Sequence, residues 1–127
     1  MSKGLEKIVA GLELCKQIPA GEFEDSALVW RERIGNFSRD NWVKFRAPED
    51  ISYKVESAEV NYFPAPTLAE IRRELRNLSV NVIDGAITVS CRIDPEKTLS
   101  ETARDDNDVT AAALRLWLRV KGIELNR

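Results

Sequence analysis

The sequence predicts an α+β fold, an antiparallel sheet with helices packed on one face, in the order α-β-β-(β)-(β)-α-β-β-α. Three observations lead there. Period-2 stretches between Ala27 and Phe63 are joined by connections too short for parallel crossovers. The run Tyr62-Phe63-Pro64-Ala65-Pro66-Thr67-Leu68-Ala69-Glu70-Ile71 closes that region and opens a helix. The stretch Asn107 to Lys121 has helical spacing and is apolar over most of its girth. At 127 residues, with no Gly/Ser-rich linker, the chain is expected to form one domain, 1–127.

The first element is an expected amphipathic helix from about Lys3 to Gln17, because Leu5, Ile8, Val9, Leu12 and Cys15 form one apolar stripe. Gly4 and Gly11 weaken it, so it depends on packing. Pro19 and Gly21 stop it. Ala27 to Ile34 then alternates, with Leu28, Trp30, Glu32 and Ile34 on one side and Val29, Arg31 and Arg33 on the other. Asn41 to Arg46 is a second strand with Val43 and Phe45 as its core side. Ile51 to Val55 and Glu59 to Phe63 extend what reads as an antiparallel meander of three or four strands.

Pro64 and Pro66 cannot donate to a β ladder, so they end the strand before them. Thr67 follows as a helix N-cap, with Glu70 three residues on to complete a capping box. Leu68, Ile71, Leu75 and Leu78 keep helical spacing, which predicts a helix over roughly Leu68 to Asn77. Val80 to Ile83 and Ala86 to Ile93 flank Asp84-Gly85, a strong hairpin signal. Asp94-Pro95-Glu96-Lys97 reads as a turn. Thr98 to Ala103 is expected to be strand or loop.

In the last helix, Asp105, Asp106 and Asp108 sit at the N-terminus and Arg115, Arg119 and Lys121 toward the C-terminus, as the helix dipole favours. Gly122 is the stop. The expected core is Leu5, Ile8, Val9, Leu12, Trp30, Val43, Phe45, Leu68, Ile71, Leu75, Ile87, Val89, Val109, Leu116, Trp117 and Val120.

Composition narrows the function classes. The chain has no histidine, which removes the commonest general base, the commonest zinc ligand and every Ser-His or Cys-His nucleophile pair. Cys15 and Cys91 are far apart and form no CxxC motif, so they read as free buried thiols in a reducing compartment. The acidic run Asp105, Asp106, Asp108 has Thr110 and Ala111 where a calcium loop needs a third ligand and a glycine, so it reads as helix capping. No GxGxxG, Walker A, GxSxG or HExxH is present. No catalytic, metal-binding or cofactor-binding residue is therefore nominated, and no cofactor is expected.

No window approaches the ~20 apolar residues of a membrane span, and Glu6, Lys7 and Glu13 interrupt any signal-peptide core. A cytoplasmic setting is expected. The net charge of −2 is near neutral and evenly spread, which gives no general pull toward nucleic acid.

Two binding surfaces remain as candidates. The apolar last helix suggests a protein interface through Leu114, Trp117 and Leu118, with self-association or another protein as partner. The alternative covering is the chain's own sheet. Arg31, Arg33, Trp42, Lys44 and Arg46 alternate on two neighbouring strands, a basic and aromatic pattern suited to single-stranded nucleic acid. Arg72, Arg73 and Arg76 would extend it. The leading expectation is a non-enzymatic interaction module, and the alternative is a small nucleic-acid binder.

Three blocks carry a resemblance. They are Gly11-Leu12-Glu13-Leu14-Cys15-Lys16-Gln17-Ile18-Pro19-Ala20-Gly21 running into Ala27-Leu28-Val29-Trp30, then Tyr62 to Glu70, then Asp106-Asn107 to Leu118. In this order the chain resembles a family of small proteins of gut bacteria, often encoded in prophage or phage-like regions. Asp108 stands where that family more often has proline, and either residue suits the first turn of a helix. The resemblance implies a bacterial cytoplasmic, mobile-element context. It implies no activity and no site residue.

Overall fold

A computed structural model of the chain describes residues 3–33, 41–47 and 60–123. The α+β class is as expected, but the strands form two three-stranded antiparallel sheets rather than one. The first sheet has order β2-β1-β3, from β1 (Leu28–Arg33), β2 (Trp42–Phe45) and β3 (Val60–Pro64). It is not a meander, because β3 returns to the free edge of β1, with Trp30 opposite Phe63 and Arg31 opposite Tyr62. The second has order β4-β5-β6, from β4 (Leu78–Ile83), β5 (Ala86–Asp94) and β6 (Lys97–Ala103). The expected strand Ile51 to Val55 and residue Ile34 lie outside the described residues.

The single N-terminal helix is corrected to two short ones, α1 (Lys3–Glu6) and α2 (Leu12–Cys15). Tertiary contacts break it where its own propensity is weakest. Val9 forms an antiparallel bridge with Thr67. The Ala10 carbonyl accepts from Trp30 Nε1 at 2.8 Å, and Gly11 takes an extended conformation as the cap of α2. The break turns Ile8 outward, so it is exposed rather than in the core. Phe45, also expected in the core, is 68% exposed at the end of the short edge strand β2.

The strand-to-helix corner forms as the sequence dictates. Thr67 Oγ1 accepts from Glu70 N at 3.3 Å, and Glu70 Oε1 accepts from Thr67 N at 2.8 Å. Pro66 and Ile71 are both buried beside this cap, as a hydrophobic staple requires. The helix α3 (Leu68–Glu74) ends one turn early, however. Leu78 leaves it to open β4 opposite Cys91, where its side chain is buried. Asp84 and Gly85 both take positive φ in the hairpin turn, as a tight type I′ connection needs.

A 3-10 turn (Asp106–Asp108) leads into α4 (Val109–Val120). This helix packs against β5, β6 and α3 and fills the centre of the molecule. Leu114, Leu116, Trp117 and Leu118 are completely buried within the chain. One apolar cluster joins α4 to Val9, Trp30, Val43 and Phe63 of the N-terminal half and to Val89 and Cys91 of the second sheet. Phe23 holds a positive φ of 56° with its ring centroid 4.8 Å from that of Trp117. A left-handed aromatic residue is strained, and this burial against Trp117 is what offsets it.

Candidate functional site

The strand register of the first sheet places Val29, Arg31, Arg33, Trp42, Lys44, Val60, Tyr62 and Pro64 on one face, because directly opposed residues share a side. The opposite face carries Leu28, Trp30, Val43 and Phe63 into the core. Arg31 stands between Trp42 on β2 and Tyr62 on β3. Its guanidinium carbon lies 4.0 Å from the Trp42 ring centroid, a close stacking distance. Lys44 Nζ lies 5.2 Å from the Tyr62 ring. Trp42 is 37% exposed, so one side of this stack reaches solvent.

The charge on this face is one-signed at its described positions. No Asp or Glu occupies any of them. The acidic residue of β1, Glu32, points to the other side and pairs there with Lys16. The net charge of the whole chain therefore does not describe this surface. Arg31 Nη1 is buried and meets no hydrogen-bond acceptor among the described residues.

Of the five residues expected here, Arg31, Arg33, Trp42 and Lys44 share the face. Arg46 does not contribute. Its guanidinium donates to the Ser26 carbonyl at 2.8 Å, the Ser26 hydroxyl at 2.9 Å and the Phe23 carbonyl at 3.4 Å, clamping the loop before β1. Arg72, Arg73 and Arg76 belong to α3 and its C-terminal turn, and that helix packs on α4. Tyr62 is the residue that sequence reasoning missed. Only the pairing of β3 with β1 brings it beside Arg31 and Lys44.

The other sequence-nominated surface is corrected. Leu114, Trp117 and Leu118 are inaccessible, because β5 and β6 of the second sheet, together with α3 and α2, pack around α4. Its two arginines are occupied as well. Glu101 on β6 receives Arg115 Nε at 3.1 Å and Arg119 Nη1 at 2.6 Å. Arg115 Nη2 also reaches Asp108 at 3.5 Å and the Thr102 carbonyl at 3.1 Å. Glu101, Thr102, Asp108 and Arg115 line a cleft of about 440 Å³. Each carboxylate there has a guanidinium against it, so the network ties α4 to β6 and offers no free acid or base.

The acidic run at the head of α4 divides its work. Asp105 caps the 3-10 turn by accepting from Asn107 N at 2.9 Å. Asp108 makes no side-chain cap for α4; it is buried and takes the Arg104 N–H at 2.9 Å. Burial opposes its charge, but the Arg104 hydrogen bonds and the Arg115 and Arg104 charges outweigh it and hold its carboxyl below the ordinary 3.8. A carboxyl depressed on folding stabilises the native state above its unfolded pKa and loses that contribution as pH falls through its folded value. Urea unfolding below pH ~4 should therefore show a shallower acid slope in Asp108→Asn than in the native chain. An unchanged slope would assign the acid sensitivity to another group.

Both thiols are buried. Burial pushes Cys15 up to about 12, only partly countered by a hydrogen bond with Trp30, so it is a poor nucleophile at neutral pH. Among the described residues no helix is long and apolar enough to cross a membrane. No protein-family model, no curated protein and no solved structure matches the chain.

Proposed function

We propose that this protein is a non-enzymatic binding module whose working surface is the exposed part of the Arg31 face of the first sheet, around Trp42 and Arg33, and whose ligand is single-stranded nucleic acid. The stacking of Arg31 on the partly exposed Trp42 carries the reading. An aromatic ring held flat by a guanidinium offers a stacking surface for a base, and the same guanidinium offers N–H groups to the adjoining phosphate. Tyr62 and Arg33 extend the face along the strands. A single strand fits better than a duplex, because bases in a duplex are not free to stack on a side chain. The absence of any imidazole and the burial of both thiols support a binding role over a chemical one. The bacterial, cytoplasmic and prophage-borne setting of this proposal rests on the sequence resemblance.

The test is a titration of a fluorescently labelled single-stranded oligonucleotide, with a duplex of the same sequence beside it. The single strand should bind more tightly, and log affinity should fall with log salt at a slope of about −2 if three cations each neutralise a phosphate. Trp42→Ala should weaken binding by at least about fivefold, the low end of base stacking on an aromatic. Arg104→Ala, an exposed cation beside the second sheet, should leave affinity unchanged. Binding that ignores salt and Trp42, or no binding at low salt, would remove the proposal.

A further inference from the structure

We propose that the chain forms a homodimer by antiparallel pairing of β4 with β4 of a second copy, about a twofold axis at Val80. β4 is an edge of the second sheet and pairs only with β5 among the described residues. An edge strand presents a row of unpaired backbone N–H and C=O groups, and proteins blunt such edges with charge, proline, a bulge, short length or a cover. The other edges show these devices. β2 has four residues and carries Lys44, β3 ends in Pro64, and β6 packs against α4.

Among the described residues β4 has none of them. Leu78-Ser79-Val80-Asn81-Val82-Ile83 contains no charge, proline or glycine, and its register with β5 runs without a bulge. Val82 and Ile83 are 69% and 63% exposed. Val82 belongs to the inner face with Leu78 and Val80, opposite Ile87, yet it stands exposed among the described residues.

The strand is complementary to itself. Pairing has to keep inner faces together, because a one-residue slip reverses every side chain. With Val80 on the axis, Val82 lies opposite the partner's Leu78, and Ser79 lies opposite the partner's Asn81. Asn81 and Ser79 already exchange a hydrogen bond within the chain, with Asn81 Nδ2 donating to Ser79 Oγ at 3.4 Å. The ends of the strand decide between registers. Arg76 and Asp84 are both exposed and lie four positions either side of Val80. Both lie in the turns that flank β4, and an antiparallel partner then brings the Arg76 turn of each copy beside the partner's Asp84 turn, twice per dimer. Opposite charges brought close at the ends of the pairing favour it, and like charges oppose it.

The product is a continuous six-stranded sheet, β6-β5-β4-β4-β5-β6, with the α4 helices of both copies on one side. It is closed, because each β4 edge is used once by the twofold and the outer β6 edges are backed by α4. The first sheet takes no part in the contact.

Light scattering of the full chain at tens of micromolar should give the mass of two chains. Arg76→Glu, which opposes two acidic groups across each end, should weaken association by about tenfold. Val80→Cys should form an interchain disulfide under mild oxidation, since opposed residues on the axis satisfy disulfide spacing. Val82→Cys should not, because in this register the two copies of residue 82 are four positions apart. A monomer at that concentration overturns the proposal. So does a dimer that Val82→Cys traps and Val80→Cys does not.

Discussion

Replacing Trp117 with alanine should lower the unfolding free energy by about 4 kcal/mol and the melting temperature by roughly 10–20 °C. Trp117 is completely buried on α4, the helix that packs against β5, β6 and α3. Its ring packs against Phe23, and Lys121 Nζ lies 5.5 Å from the Trp117 ring centroid. Truncation opens a cavity at the centre of the core and removes the contact that holds Phe23 in its left-handed conformation. Against a total stability of about 5–15 kcal/mol, that loss leaves a marginal fold. Trp117→Phe separates the causes. Trp117 Nε1 is buried and meets no acceptor among the described residues, so phenylalanine discards an unsatisfied donor while losing part of the ring. The expected cost is below about 2 kcal/mol. Urea unfolding of the three chains measures both, and equal losses in the two variants would show that the volume removed does not set the cost.

Glu101→Ala should cost about 3 kcal/mol, the second largest effect of a single change. Glu101 is buried at β6 and faces two guanidiniums, so its removal leaves Arg115 and Arg119 without their shared carboxylate. Breaking a buried ion pair costs about 3–5 kcal/mol because the remaining charge stays desolvated. The lower end applies here, since the side chains of Arg115 and Arg119 are partly exposed and regain some water. Arg104→Ala is the contrast. Arg104 also pairs with a buried carboxylate, but its own side chain is 87% exposed, and removing it should cost almost nothing. Unfolding midpoints of the two variants side by side decide the matter, and a Glu101→Ala chain as stable as Arg104→Ala would reduce the network to a surface feature.

The candidate site was half legible before the fold was known. Arg31, Arg33, Trp42 and Lys44 share a face because side chains alternate along strands, and two adjacent strands with matched alternation preserve that sharing. Arg46 obeys the same alternation but leaves the face, because the loop Phe23 to Ser26 returns under its guanidinium from outside the strand pair. Tyr62 was attributed to the corner alone, since its place beside Arg31 depends on β3 passing to the far edge of β1. Glu101 lay in the least patterned stretch of the chain, and only its pairing beside α4 reveals it as the partner of Arg115 and Arg119.

The sequence by itself determined the features whose causes lie within about four residues. The Thr67–Glu70 capping box, the Asp84-Gly85 turn, the stop at Gly122 and the existence of the last helix all depend on neighbouring side chains and local φ preferences. Tertiary structure alone decided the rest. It broke the N-terminal helix at Val9 to Gly11, because a bridge to Thr67 and a hydrogen bond from Trp30 stabilise an extended segment more than a glycine-weakened helix stabilises itself. It ended α3 early to bury Leu78 in a sheet. It also settled which surface covers α4. Apolar girth specifies that a helix must be enclosed, and the hydrophobic effect has no direction, so only the arrangement of the second sheet, α3 and α2 could place that cover within the same chain.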